Sequence, residues 1–440
     1  MTTRMLTLYA LFFALSLSAF GQDLDQKMDL VLEKLDTIST KLDPVAKDVS
    51  VETPEAEASP DSEGLAVKID TVFVIICAAL VFFMQAGFAL LELGCVRAKN
   101  CLNVGADVTW LSSFDGSSGI WTFWIFQAVF VATAATITSG AMAERIKFSG
   151  YILYTIVISA VIYPVLGHWA WGSFGGGLAD GFGGDPGWLE KMGFQDFAGS
   201  TVVHGLGGAC ALAGVLVVGP RKGRFSKDGT PLLISGHNIP LVALGTFILT
   251  FGWFGFNCGS MLSADASIGR IAVNTIVAGG AGGLFSMLAF WFRDGRSEPL
   301  SMLNGILGGL VAITACCNLV TPASAVAIGA IAGIIGTIGA EALLKLRIDD
   351  VVGAIPVHLF NGIWGTLAVA IFNEEGFSIK NLGVQAAGAF SITLMAFVLA
   401  FLAFHVIRLT VGLRASEQDE EDGLDFAEHA SNAYPDFTSE

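Results

Sequence analysis

Asp196-Phe-Ala-Gly-Ser-Thr-Val-Val-His204-Gly-Leu-Gly-Gly208 and Asp350-Val-Val-Gly-Ala-Ile-Pro-Val-His358-Leu-Phe-Asn-Gly362 are the two stretches that decide the fold. Both carry Asp, Gly, Val, His and Gly at offsets 0, 3, 7, 8 and 12. Each opens an apolar run, and the charges of the flanking loops put the first Asp at an outer end and the second at an inner end. One motif entering a bilayer from opposite faces is the signature of an inverted repeat, which places substrate near the membrane midplane. Each His lies eight residues into its span, about 12 Å at helical rise, so the two imidazoles approach the same depth from opposite directions.

The rest of the 440-residue chain agrees, with a mean hydropathy of +0.67, 53% hydrophobic residues and only 14% charged ones. Those values exclude a soluble multidomain protein and predict an all-α polytopic membrane protein built as an inverted-repeat helical bundle. Apolar runs of spanning length occur at about Val72 to Gly94, Thr122 to Ala143, Tyr151 to Trp171, Val202 to Val218, Pro240 to Phe256, Ile271 to Phe292, Leu300 to Cys317, Ser324 to Leu344, Val352 to Phe372 and Val384 to Ile407. Clusters of bases at Arg221 to Lys227, Arg293 and Arg296, Lys345 and Arg347, and Arg408 and Arg414 mark cytoplasmic ends and predict a cytoplasmic carboxyl tail. One place breaks the alternation. Arg97 and Lys99 follow the first run and Arg145 and Lys147 the second, so both ends claim the cytoplasm with one evident helix between them. The stretch Gly105 to Gly119, with Asp107, Asp115 and three Gly, does not read as a helix and leaves this conflict open.

The net charge of −16 sits in the flanks: Asp23 to Glu63 carries twelve acids against four Lys, and nine acids with no base follow Arg414. A nucleic-acid partner is excluded on that balance. Residues 1–21 have the layout of a signal peptide, with Arg4, an apolar run from Leu6 to Leu17 and small residues at Ala19 and Gly21; an uncleaved anchor helix is the rival reading. In 22–43, Leu24, Met28, Val31, Leu35, Ile38 and Leu42 form a heptad seam, either an extracellular coiled coil of three or four strands or a single amphipathic helix. An acidic linker, 44–66, precedes the membrane domain at 67–414 and the tail at 415–440. The seven Cys have no metal-ligand spacing, and no nucleotide-binding loop or cofactor motif is present. An enzyme, a metal site and a bound cofactor are therefore not expected.

Burial disfavours imidazolium, so a His pair at the midplane is expected to be neutral or to share one proton. Such a pair offers one nitrogen as donor and another as acceptor, enough to pass a small hydrogen-bonding molecule or relay a proton. Asp196 and Asp350 read most simply as helix caps. Phe126 and Phe130 lie one helical turn apart, Trp171 ends a span at an outer loop, and Trp253 and Phe256 lie in Gly-Trp-Phe-Gly-Phe-Asn. Aromatic faces attract cations, so the combination predicts a small monovalent cation drawn to the mouth and stripped of charge before an apolar pore.

These motifs resemble the ammonium transporter (Amt/Rh) family: Met-Gln-Ala-Gly-Phe-Ala-Leu-Leu-Glu from Met84, Ser-Gly-Ala-Met-Ala-Glu-Arg-Ile from Ser139, Asp-Phe-Ala-Gly-Ser-Thr-Val-Val-His from Asp196, Gly-Trp-Phe-Gly-Phe-Asn from Gly252, and the tail around Gly-Leu-Asp, Glu428, His429, Ala433 and Tyr434. The resemblance covers about Val72 to Tyr434. It implies a plasma-membrane homotrimer with one pore per subunit, an extracellular amino terminus, and ammonium or ammonia as substrate with methylammonium as analogue. By position it implies that Phe126, Trp171 and Ser260 form an outer recruitment site, Phe130 and Phe256 a stacked gate, and His204 and His358 the pore histidines, with Trp253 lining the pore and Asp196 required through structure. It implies that ammonium loses its proton and passes as ammonia, and that the tail couples subunits and receives a cytoplasmic regulatory protein. A non-conducting ammonium sensor or regulatory subunit is the alternative. Members have eleven spans; here the second and the loop after it are missing between Asn103 and Trp121, where the charge alternation also fails.

Overall fold

The structure, a computed structural model, describes residues 60–97, 99, 118–173 and 185–434. The signal peptide, the heptad segment, most of the linker, and residues 103–117 within the stretch where a span is missing lie outside the described residues. The described chain is helical: α1 (Pro60–Cys95), α2 (Ser118–Met142), α3 (Phe148–Trp171), α4 (Trp188–Lys191), α5 (Ser200–Val218), α6 (Ile239–Gly259), α7 (Ile268–Asp294), α8 (Pro299–Ile313), α9 (Pro322–Lys345), α10 (Ile355–Phe372), α11 (Ile379–Thr410), α12 (Glu417–Asp422) and α13 (Leu424–His429). Nine of these are long and apolar enough to cross a membrane. The linker expected to run to residue 66 ends earlier, because α1 already begins at Pro60, a residue suited to a first helical turn.

The seventh of the ten apolar runs, expected from Leu300 to Cys317, is helical only to Ile313 and is not among the nine. Its truncation has a specific cause. The Ser200 hydroxyl donates to Val311 O and accepts from Ala315 N, both at 2.7 Å, taking the two partners that would bond each other in a continued helix. Phe197 N and Ala198 N then donate to Ala315 O and Thr314 O at 3.1 Å. The strand of chain leading into α5 is thereby stitched to the opened end of α8. Starts of other helices follow sequence rules: Asn238, Glu298 and Thr321 each cap a helix that carries Pro in its first turn.

The repeated motif acquires a physical meaning at four of its five offsets. The Asp196 carboxylate accepts four backbone N–H groups: Gly199 and Ser200 at Oδ1, Thr201 and Val202 at Oδ2, at 2.8 to 3.0 Å. Asp350 repeats this with Gly353, Ala354 and Ile355, and stops at three because Pro356 has no N–H. Gly at offset 3 has φ of +107° at Gly199 and +82° at Gly353, a left-handed conformation that side chains disfavour. At offset 12, α5 and α10 cross. A Cβ on Gly208 would lie 2.5 Å from Leu359 N, and one on Gly362 would lie 2.3 Å from Ser200 O. The first turns of both helices are π-helical, Ser200–Gly205 and Ile355–Phe360, and each contains its His.

The carboxyl ends of α1 and α2 meet on one side: Arg97 Nε lies 3.0 Å from Glu144. The two helices therefore run in the same direction. Glu144 belongs to a buried network in which Arg221 donates to Asp349 from its backbone N, Nε and Nη2 at 2.9 to 3.0 Å and to Glu144 from Nη1 at 2.9 Å. Arg145 is fully buried and donates to Asp349 O and Gly219 O. Burial raises the Asp349 and Glu144 carboxyls, but their arginine partners outweigh it and hold both below the ordinary carboxylate range. Burial pushes Arg145 down to about 10. The tail closes over this network, where the buried Glu420 accepts from Arg414 at 2.8 Å and from Lys222 N at 2.7 Å.

Candidate functional site

Three compartments stack between the helices. The outermost is a pocket of about 200 Å³ whose wall includes Phe126, Phe130, Trp171, Ser260, Gln127 and Glu190. Phe126 and Phe130 come from one face of α2, with ring centroids 4.8 Å apart, and Trp171 from the end of α3, edge-on to Phe130 at 6.5 Å. Ser260 caps the carboxyl end of α6 and donates to Phe256 O at 2.8 Å. Asp196 is not part of this wall. Its carboxylate is consumed by the four N–H groups, while its main-chain oxygen accepts from Trp171 Nε1 at 2.8 Å. Its contribution is positional: it fixes the start of α5 and the tilt of the indole. Glu190, which carries no motif in the sequence, holds the pocket rim by accepting from Ser173 N and Gly187 N at 3.1 Å.

Below the pocket, Phe130 and Phe256 stack at 4.1 Å between centroids and 26° between planes, both 1% exposed or less. This pair closes the floor of the pocket. Directly against it, the His204 ring lies 5.3 Å from Phe256 and 5.1 Å from Trp253, stacked on each. Trp253 is held by a hydrogen bond from Nε1 to Thr314 Oγ1 at 2.9 Å. That threonine occupies the opened end of α8, so the same distortion that shortens the helix orients the indole.

His204 and His358 face each other with Nδ1 to Nδ1 at 3.2 Å and rings inclined by 20°. At that distance one Nδ1 carries a proton and donates to the other, which requires opposite tautomers in a neutral pair. His204 Nε2 is buried and has no protein partner, leaving its remaining hydrogen-bonding capacity unused. The reason the rings meet lies in the backbone. The crossing of α5 and α10 at Gly208 and Gly362, reinforced by Thr201 and Thr366 Oγ1 at 2.5 Å, brings the two π-helical turns together.

Past His358 lies a small inner cavity shared with Phe88, Leu91, Glu92, Asn304 and Val357. Phe88 lies 6.4 Å from His358. The structure thus brings Phe126, Trp171 and Ser260 together in the pocket, Phe130 and Phe256 into the stack, and Trp253, His204 and His358 into the column beneath. Glu92, Thr314 and Glu190 were missed as site residues; Glu92 was visible as a lone acid in an apolar run, whereas the other two depend on contacts between distant segments.

Comparison with known proteins gives a match to the Ammonium Transporter Family over residues 72–113 and 104–434. The match is in two pieces that meet where the charge pattern breaks. The chain is similar to ammonium transporter Amt2 of Archaeoglobus fulgidus, 43% identical with 84% of this chain and 89% of that protein covered. It is similar to ammonium transporter Amt1 of Haloferax mediterranei, 38% identical with 86% and 82% covered. Among solved structures, a sensor Amt protein superposes with a TM-score of 0.77 at 38% identity, covering 83% of this chain and all of that one. Candida albicans Mep2, 24% identical with 85% and 93% covered, shares the fold with a TM-score of 0.70. With the helical bundle, the paired histidines and these relatives together, the chain belongs to the ammonium transporter family.

Proposed function

We propose that the protein carries ammonium across a membrane, recruiting it in the outer pocket and conducting it as ammonia past His204 and His358. The observation that carries this reading is the 3.2 Å contact of the two imidazoles beneath a closed aromatic stack. A cation is drawn by the faces of Phe126 and Trp171 and by the Ser260 hydroxyl. The Phe130 and Phe256 pair and the apolar column below it disfavour a charge, so the proton is left behind and neutral ammonia proceeds. The histidine pair, with one donor and one acceptor and no net charge, passes a molecule that can both give and take a hydrogen bond. Trp253 lines this passage and Asp196 holds the entrance in register. The chain acts as a homotrimer in the plasma membrane, with its amino terminus outside and its tail inside as the landing site for a regulatory protein.

The test is growth of uptake-deficient cells on limiting ammonium, combined with uptake of labelled methylammonium. Rescue by the wild type and its loss in the His204→Ala, His358→Ala double variant are expected. A double variant with wild-type uptake would overturn the pore assignment. A sensor that binds without conducting is the alternative reading, since one of the similar structures is a sensor Amt protein. Ammonium binding by the purified protein without rescue of growth would select it.

A further inference from the structure

The inner half of the conduit holds an ionisable group that the conduction path leaves unused. Glu92 lies on α1, 3% exposed, within the apolar segment Gly64–Cys95. An ionisable residue at such a place is costly to keep and marks a pathway more often than a packing need. Its carboxylate lines the same cavity as His358, and lies within 3.0 and 3.2 Å of the Ser139 hydroxyl of α2.

Ser139 is what makes both protonation states of Glu92 tolerable. Its hydroxyl also lies 2.7 Å from Thr136 O, yet it has a single proton to give. When Glu92 is ionised, Ser139 donates to the carboxylate. When Glu92 is protonated, its O–H donates to Ser139 Oγ, which turns its own proton to Thr136 O. In both states Glu92 and Ser139 keep a hydrogen bond to each other, so the carboxyl can change charge without losing this contact. Gln85, one face up on α1, accepts from Thr136 Oγ1 at 2.9 Å, and this extends the polar seam between α1 and α2 toward the depth of the histidines.

We infer that Glu92 is an inner ammonium site at which conducted ammonia regains its proton, an inference that rests on the transport reading above. The lone pair of ammonia leaving His358 takes the proton of the Glu92 carboxyl: an N–H bond forms, the O–H bond breaks, and ammonium stands beside a carboxylate. Ammonium leaves to the cytoplasm, and hydronium from cytoplasmic water returns a proton to the carboxylate. The ionisable groups gathered around this end of α1 are His358 on α10, Asp350 before it, Glu298 at the start of α8, Arg221 beyond α5, and Cys95 and Arg97 at the end of α1 itself. Of these and Glu92, only Glu92 and His358 line the inner cavity.

The test uses the full chain in proteoliposomes with preset internal pH, an inward ammonium chloride gradient, and a trapped pH dye read by stopped flow, with protein-free vesicles subtracted. In the wild type the initial rate falls as internal pH is raised. In Glu92→Gln the rate drops at least about tenfold, as for loss of a proton-transferring group, and no longer depends on internal pH. Glu92→Asp restores the dependence, and Ser139→Ala shifts its midpoint. A Glu92→Gln protein with the wild-type internal-pH dependence, at whatever rate, overturns the inference while leaving transport standing, as does an unshifted midpoint in Ser139→Ala. If Glu92→Gln fails to fold, the aspartate and alanine variants decide alone. A wild-type protein with no flux above empty vesicles overturns the transport reading and this inference together.

Discussion

Replacing the two motif aspartates by asparagine tests whether the caps are as unequal as they look. Asp196 uses each oxygen for two N–H donors, so whichever way an asparagine side chain turns, its NH2 group confronts two of them. Two charge-assisted bonds are lost at about 1.5 to 3 kcal/mol each, a total of about 3 to 6 kcal/mol. Asp350 uses Oδ2 for Ile355 N alone. An asparagine there can point its NH2 group at the single donor and lose one bond, about 1.5 to 3 kcal/mol. Thermal unfolding of the purified protein, followed by intrinsic fluorescence, is therefore expected to show a drop for Asp196→Asn about twice that for Asp350→Asn. Adding Pro356→Val supplies the fourth donor and brings the cost of Asp350→Asn up toward that of Asp196→Asn. Equal drops for the two single variants, or no effect of Pro356→Val on the second, would refute the reasoning.

Gly362→Ala places a Cβ 2.3 Å from Ser200 O and 2.9 Å from Gly205 N, and overpacking of this kind costs about 1 to 3 kcal/mol; a lower unfolding temperature and reduced uptake are expected, and unchanged values would mean the crossing is looser than described. Arg221→Met removes the guanidinium that Asp349 and Glu144 share, leaving Glu144 with Arg97 alone and Asp349 with Arg224, and is expected to cost about 3 kcal/mol, the lower end for a broken buried pair, with Arg221→Lys failing to restore it because one ammonium cannot serve both carboxylates in the guanidinium's geometry; full rescue by lysine argues against the network. Because Glu144 and Asp349 are held below the ordinary carboxylate range, the unfolded chain binds their protons more readily than the fold does. Their contribution is complete above about pH 4 and is lost as pH falls through the folded values; a flat unfolding temperature between pH 5 and the acid limit would contradict this.

Much of the bundle was legible in the sequence because apolar length and loop bases report on the membrane directly. The offsets 0, 3, 8 and 12 of the repeat could be read as a pair of matched helices, and each turned out to have its own backbone cause, from the N–H cradle to the crossing glycine. What could not be read was any feature created by one segment acting on another. Nothing near Leu300 to Cys317 says that Ser200, more than a hundred residues earlier, takes the hydrogen bonds that would have continued α8. Nor does the isolated serine in Ser-Gly-Ala-Met-Ala-Glu-Arg-Ile disclose that it faces Glu92. Aspartate 196 was legible as a cap, whereas the absence of its carboxylate from the pocket wall required coordinates.

The crossing of α5 and α10 has one more consequence, for how transport can proceed. At Gly208 and Gly362 the two repeats meet backbone against backbone, and the hydroxyls of Thr201 and Thr366 and the imidazoles of His204 and His358 bridge the same junction. Rocking one half against the other would have to part these contacts, so a fixed frame, a sieve rather than a turnstile, is the behaviour expected of this junction. A covalent staple between the two repeats is therefore expected to leave transport running.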